Sequence, residues 1–349
     1  MNPTHTAESS MDFPAFIEWS RSLRATRADL LDLAETRIAH ALADIRPAIA
    51  VPATFARLHR CHLAPVWCQL RGLPPAHARR AFACNGVRHG LELLLREFAR
   101  AGRKIAMPRD VYPVYGRIAE AAGAATCGFV TFPVFDLPAL LARATADGAS
   151  AVLLPAPLKL HGRAWTPAEA DAALAWLAAD EDRRLVLDGV YAFGQPLEAP
   201  MQRLIATDQV FYLDSLSKGW LHELVFGIVL VPERDRPALQ EIFRALQPSQ
   251  RSLFLARELM TSFAAFPSQL ARELARRRAV LERLLAEKGI AFRPALQGYL
   301  LAIEADAGAL LAAHGVLVLP AAAFGSERQD FSMASALMAS GASPPFLPT

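Results

Sequence analysis

The sequence predicts an α/β protein: a mainly parallel, mixed sheet flanked by helices, followed by a smaller C-terminal α+β domain. Three observations lead there. Seven short apolar runs recur between residues 81 and 232, and most of them are separated by segments with apolar residues at helical spacing. Beyond Pro232 the pattern changes to long helices rich in Arg, Leu and Ala.

The runs are AFAC (81–84), KIAMP (104–108), TCGFVTF (126–132), SAVLLP (150–155), RLVLD (184–188), QVFYLD (209–214) and GIVLVP (227–232). Helical spacing fills Val87–Ala101, Val114–Ala122, Leu137–Ala146 and Pro167–Ala179. Such alternation makes a parallel sheet covered on both faces, with ligand groups at the carboxyl ends of its strands. Upstream, residues 15–47 and 54–71 also have helical spacing, broken by Pro47, Pro52 and Leu73-Pro74-Pro75, and are expected to cover the start of the main domain. Downstream, helices are expected over 235–246, 251–263 and 267–288, with two more apolar stretches at Tyr299–Glu304 and Val316–Pro320. The expected division is an N-terminal arm and helices over 1–50, a large domain over 51–234 and a small domain over 235–349. No internal repeat or low-complexity segment stands out.

The chain has 349 residues, 53% of them hydrophobic, enough for a substantial core. Its net charge is +3, with arginines scattered among acids along helical stretches, so no basic block points to nucleic acid. Cys61, Cys68, Cys84 and Cys127 lack metal-ligand spacing, and the Cys61-to-Cys68 gap suits helical core positions. No metal is expected, and a reduced, cytoplasmic protein is. The start, MNPTHTAESSMDFPAF, has neither the basic beginning nor the apolar core of a signal peptide and reads as a flexible arm. The long run without charged residues between Asp306 and Glu327 is divided by His314, Gly315 and Pro320, so no membrane span is expected.

The chemistry centres on FYLDSLSKGW. The chain has four lysines (104, 159, 218 and 288) against 33 arginines, so few amines are available to lose a proton, and arginine cannot. Lys218 follows a strand and is flanked by Ser215 and Ser217, which suits a Schiff base with an aldehyde while the hydroxyls hold a nearby phosphate. Taken alone, a surface lysine in a loop fits equally well. Upstream, Cys84-Asn85-Gly86-Val87-Arg88 joins a strand to a helix, where free N–H groups and the helix dipole form an anion site. It is neither a dinucleotide fingerprint nor a Walker loop. Tyr112, after the next run, can lie over a planar ligand or can be a core tyrosine. Asp188 ends an apolar strand, which costs several kcal/mol, on the order of a buried charge, unless a cation or strong donor meets it. A protonated pyridine nitrogen would be such a partner.

In order and spacing, these segments resemble the pyridoxal-phosphate enzymes of fold type I, in particular the class I/II aminotransferase superfamily, from about residue 55 onward. ACNGVRHGLELLL resembles the family's phosphate turn and helix, MPRDVYPVY its strand and stacking aromatic, LVLDGVYAFG its Asp-x-x-Tyr segment, and SLSKGW its Schiff-base segment. The resemblance implies that Lys218 carries the cofactor and shuttles a proton at the substrate carbon. It implies that Asp188 keeps the ring nitrogen protonated, Tyr191 hydrogen-bonds the phenolic oxygen and Tyr112 stacks on the ring. Gly86, Val87 and Ser215, with Ser217, would bind the phosphate. It also implies a homodimer with active sites near the subunit interface and a small amine or carbonyl substrate.

Four departures qualify that expectation. Lys159, in PLKLHG, falls where the family has an Asn. Val225-Phe226-Gly227 stands where a phosphate-binding Arg follows the lysine, which makes Arg88 the candidate replacement. The segment Asp330–Ser335 lacks the Arg that grips a substrate α-carboxylate, with Arg293 and Arg328 the nearest in sequence. The glycine-and-arginine segment usual before the phosphate turn is unrecognisable in 51–72. The expected activity is therefore an aminotransferase acting on an atypical substrate in a specialised pathway. The alternatives are a lyase, decarboxylase or carbon-carbon bond-forming enzyme on the same fold, or an inactive ligand-sensing homologue.

Overall fold

The computed structural model describes residues 11–49, 63–222 and 226–338. Several expectations lie outside them: the first ten residues of the arm expected over 1–16, the first half of the 54–71 helix with Cys61, Val225, and everything after 338; the end of that expected arm is corrected, since a helix capped by Asp12 begins at Phe13.

The first described helix is α1 (Phe13–Thr26), capped by the Asp12 side chain on the Ala15 N–H. It ends at Arg27, and the chain then forms a two-residue strand, β1 (Leu31–Asp32). The expectation of helix through 15–47, covering the start of the main domain, is thus corrected. The β1 segment pairs in parallel with β11 (Val316–Leu317), and the Leu33 carbonyl accepts from Ser335 N–H, so it joins the C-terminal layer. Its apolar spacing reflects burial in that layer, which periodicity cannot distinguish from a helix face.

Helix α2 (Leu63–Arg71) leads into the main sheet. Its strands are β2 (Ala81–Cys84), β3 (Ile105–Pro108), β4 (Thr126–Phe129), β5 (Ala151–Pro155), β6 (Arg184–Asp188), β7 (Val210–Ser215) and β8 (Gly227–Leu230). They lie in the order β2-β8-β7-β6-β5-β3-β4. All neighbouring pairs from β7 to β4 are parallel, and only β8 runs antiparallel to its neighbours. Each of the seven expected runs forms a strand.

The connecting helices are α3 (Val87–Arg100), α4 (Val114–Ala121), α5 (Leu137–Ala146), α6 (Pro167–Ala178) and α7 (Ala199–Ala206). Thr166 and Glu169 form a reciprocal cap at the start of α6. The sheet separates two cores. On one face Val186, Phe211 and Leu213 pack with Leu91, Leu94 and Phe98 of α3; on the other, Leu185, Leu187 and Tyr212 join the core that continues into the C-terminal layer. Strands buried on both faces must be apolar throughout, which is why β5, β6 and β7 were legible as continuous runs.

After β8 come α8 (Arg236–Ala245), α9 (Gln250–Ser262) and the long α10 (Phe266–Glu287). The last layer holds β9 (Phe292–Arg293), β10 (Leu300–Ile303), α11 (Ala307–His314), β11, β12 (Leu319–Pro320) and β13 (Ser332–Ser335), with an antiparallel sheet in the order β12-β13-β10-β9. No described helix is long and apolar enough to cross a membrane.

Candidate active site

The topology brings the chemistry-bearing residues to one edge. With β2, β3, β5, β6 and β7 all pointing the same way, the residues following each emerge together. Cys84 and Ser215 sit at the same level on either side of Gly227, about two strand spacings apart, or on the order of 10 Å. The turn before α3 and the turn after β7 are therefore neighbours.

Gly86 precedes α3 with φ +86° and ψ 167°, a conformation that strongly favours glycine. No side chain caps this helix, which leaves the N–H groups of its first turn, Val87 among them, free for an anion. Ser215 caps the single helical turn Leu216–Gly219, its hydroxyl accepting from Lys218 N–H at 3.3 Å and lying 3.4 Å from the Ser217 hydroxyl. Ser217 in turn donates to the Phe226 carbonyl at 3.3 Å. Arg88, on the first turn of α3, donates through Nε to the Tyr112 hydroxyl at 2.5 Å.

Asp188 ends β6 and is half-buried. Its Oδ1 accepts from Val190 N–H at 3.0 Å, and its Oδ2 accepts from the Tyr115 hydroxyl. Gly189 follows because nothing larger fits: a Cβ there would lie 2.2 Å from the Tyr212 hydroxyl. Desolvation pushes the Asp188 carboxyl above the usual range, outweighing its two hydrogen bonds and the positive charges of Lys159 and Lys218. Burial and the adjacent carboxylate push the Tyr115 hydroxyl far up, so it stays protonated and donates.

The neighbouring strand end supplies the contrast. Asp214, on β7, forms an ion pair with Arg71 of α2 at 3.1 Å, both side chains 1% exposed, and accepts from Trp67 Nε1 at 2.7 Å. Arg71 also donates to the Tyr212 hydroxyl at 2.7 Å. One strand-end aspartate has its paired cation, then, and the other, among the described residues, takes hydrogen bonds from neutral donors only.

Two amines face Tyr191. Lys159 Nζ lies 4.6 Å from the Tyr191 ring centre and 4.7 Å from that of Phe324; Lys218 Nζ lies 5.7 Å from the Tyr191 ring centre. Among the described residues neither amine forms an ion pair. Burial opposes ionisation of Tyr191, but the charges of Lys159 and Lys218, with hydrogen bonds from Lys159 and Tyr299, bring its hydroxyl down to about 8.

The geometry thus gathers Lys159, Asp188, Tyr191, Ser215, Ser217 and Lys218 with Tyr112, Arg88 and the Gly86-Val87 turn. It adds three residues that sequence reasoning missed. Tyr115 packs edge-on against Tyr112, with ring centres 5.2 Å apart, and its position three residues along the same turn was the available signal. Tyr299 and Phe324 come from the C-terminal layer and carry no local signal. The two arginines considered for a carboxylate are engaged elsewhere. Arg293 pairs with Glu304 at 2.8 Å and donates to the Pro133 carbonyl at 2.9 Å, while the exposed Arg328 pairs with Asp330. Ser332 and Ser335 are buried in β13.

Beside Tyr191 lies a cavity of about 290 Å³, walled by Trp165, Phe193, Leu197, Met201 and Leu274. Arg278 lines it too, with its guanidinium donating to the carbonyls of Ala295, Leu296 and Gly298.

No family model and no curated protein sequence matches the chain. Solved structures do. A Thermus thermophilus aspartate aminotransferase double mutant superposes with a TM-score of 0.71 at 18% identity, over 97% of this chain and 95% of that one. An Escherichia coli protein with methionine aminotransferase function gives 0.71 at 16% identity, over 93% and 95%. A Corynebacterium diphtheriae protein described as a pyridoxal-phosphate-dependent β-cystathionase gives 0.66 at 17% identity, over 93% and 94%. The chain has the architecture shared by these proteins, the fold type I of pyridoxal-phosphate enzymes.

Proposed function

We propose that the chain is a pyridoxal-phosphate-dependent aminotransferase whose substrate bears no free carboxylate on its reacting carbon, serving a specialised pathway. The single observation that carries the cofactor is Asp188. It is a desolvated carboxylate met only by a tyrosine hydroxyl and a backbone N–H, while its neighbour Asp214 has a buried arginine. A protonated pyridine nitrogen is a cation suited to that carboxylate. When bound, the cofactor supplies an electron sink for the bond broken at the substrate carbon. The remaining work belongs to the chain's own side chains. Lys218 holds the cofactor through Nζ and carries a proton to and from the substrate carbon. Asp188 keeps the ring nitrogen protonated. Tyr191, with Lys159 beside it, would hydrogen-bond the phenolic oxygen, and Tyr112 would cover the ring. The first turn of α3, with Gly86 and Val87, binds the phosphate together with Ser215, Ser217 and Arg88. A homodimer is part of this reading.

The reading of the substrate class rests on the engaged arginines. A carboxylate entering beside Tyr191 would lose water without a matched arginine, since Arg278, Arg293 and Arg328 all have other partners. The cavity, apolar for the most part but lined also by Gln195, Glu198 and Gln297, suits an amine, an aldehyde or ketone, or an acid masked as an ester, amide or thioester. A screen of amine donors against the purified holoenzyme, followed by the cofactor spectrum, tests this. Conversion to the amine form by a carboxylate-free donor, with aspartate, glutamate and alanine poor, is expected. Rapid, saturable conversion by one of those amino acids would overturn the substrate assignment. A second reading, elimination or another pyridoxal-phosphate reaction, is favoured by the cystathionase-like neighbour, and it predicts turnover with no donor-driven conversion to the amine form.

A further inference from the structure

We propose that Arg278 is a positioning residue: through two peptide units of the turn 295–298 it holds that turn on Gly162, and so keeps Lys159 and one wall of the cavity in place beside Tyr191. The use made of that placement rests on the cofactor reading above, but the geometry does not.

Arg278 lies on α10, is 8% exposed, and forms no ion pair among the described residues. A guanidinium so buried needs its charge answered, and here carbonyl dipoles answer it. Nε donates to the Ala295 carbonyl at 3.2 Å, one terminal nitrogen to that of Leu296 at 2.9 Å and the other to that of Gly298. The first two carbonyls are the informative ones. The Ala295 carbonyl and the Leu296 N–H belong to one peptide unit, and the Leu296 carbonyl and the Gln297 N–H to the next. Both units are trans, so in each the N–H points away from the carbonyl. Both N–H groups donate to the Gly162 carbonyl, each at 2.7 Å. Each peptide unit thus stands between a cation on its oxygen side and an acceptor on its hydrogen side, an arrangement in which one hydrogen bond strengthens the next.

The other end of the relay is shaped to receive it. Gly162 has φ +58°, and a Cβ there would lie 2.3 Å from the Ala295 Cβ, so only glycine lets the two turns meet. Leu158 N–H donates to the Arg163 carbonyl at 2.8 Å, closing the turn that carries Lys159. From that turn Lys159 Nζ reaches between the rings of Tyr191 and Phe324. On the far side Tyr299 follows Gly298, its ring centre 6.0 Å from that of Tyr191, while Leu296, Gln297 and Gly298 line the cavity. One guanidinium therefore acts, through two peptide units, on both the amine beside Tyr191 and the space assigned to the substrate.

The scarcity of lysines makes the test clean, since each of the four, 104, 159, 218 and 288, can be followed separately. The cofactor-free protein is acylated with acetic anhydride and the rate at each lysine is read by peptide mass spectrometry, beside amide hydrogen exchange. Arg278→Met keeps an apolar stem and removes every donor. In it the Leu296 and Gln297 amides should exchange about tenfold faster, the equivalent of one ordinary hydrogen bond, and Lys159 should acylate faster by a similar factor. Lys104 and Lys288 should keep the parent's rates. Arg278→Lys, a single ammonium in place of a fork, should lie between the two. Gly162→Ala attacks the contact from the opposite side and should reproduce the joint change with Arg278 intact. Freed amides with an unchanged Lys159 would overturn the proposal. So would equal acceleration of all four lysines, which is what a general loss of stability gives. Should Arg278→Met fail to fold, the parent in dilute urea decides: Lys159 and the two amides should open together below the global midpoint, and separate openings would overturn the coupling. None of these measurements needs the cofactor, so their failure is distinct from failure of the pyridoxal-phosphate reading, which shows as absence of visible absorbance on adding the cofactor.

Discussion

Replacing Asp188 by Asn should change stability and cofactor affinity in opposite directions. The amide keeps the shape of the carboxylate: Oδ1 can still accept from Val190 N–H, and the amide nitrogen can donate to the Tyr115 oxygen. Charge is what the substitution removes. In the cofactor-free protein that charge is unfavourable, because desolvation raises the Asp188 carboxyl above its ordinary value of 3.8. The folded state then holds the proton to higher pH than the unfolded state does, so the contribution of Asp188 to stability is greatest in acid and declines as pH rises through the folded value. Relative to the parent, the cofactor-free Asn variant should therefore gain stability from acid to neutral pH. With pyridoxal phosphate the order reverses. Losing a charge-assisted hydrogen bond to the ring nitrogen costs about 1.5–3 kcal/mol, or about ten- to 150-fold in dissociation constant. Urea midpoints across pH, with and without cofactor, and cofactor titration by absorbance are the assays. A variant that binds cofactor as tightly as the parent, or that is less stable than the parent without it at neutral pH, would refute the reasoning.

Two further outcomes follow from neighbouring residues. Asp214→Ala strands the guanidinium of Arg71, which is 1% exposed, and should destabilise the fold by about 3–5 kcal/mol; replacing both partners by apolar residues of similar volume should cost much less, as urea midpoints will register. Arg88→Ala should weaken cofactor retention by no more than about 1.5–3 kcal/mol, the upper end discounted because the side chain is exposed, and an unchanged dissociation constant would remove Arg88 from the phosphate site.

Much of this architecture could be read from the chain, for identifiable reasons. The strands β5, β6 and β7 are buried on both faces, so burial alone makes them continuous apolar runs, and Asp188, Ser215 and Lys218 stand out as the polar residues that end or follow them. What escaped was non-local. The two residues of β1 are held by β11, some 285 positions later in sequence, about which no window of local periodicity carries information. Tyr299 and Phe324 reach Tyr191 and Lys159 only because the C-terminal layer folds onto the sheet edge. A strand-end aspartate needs a cation at Asp214 as much as at Asp188, and only packing reveals that Arg71 pairs with the first while, among the described residues, no cation forms an ion pair with the second. Lys159 was legible as a departure from a familiar pattern, but its contact with Tyr191 was not.

The central claim is that Lys218 holds the cofactor, and borohydride reduction followed by peptide mapping addresses it most directly. The purified protein incubated with pyridoxal phosphate should absorb in the visible, and reduction should abolish that absorbance and leave the cofactor fixed on the peptide containing Lys218. Label on the peptide containing Lys159 instead, or no stable label on either, would contradict the account.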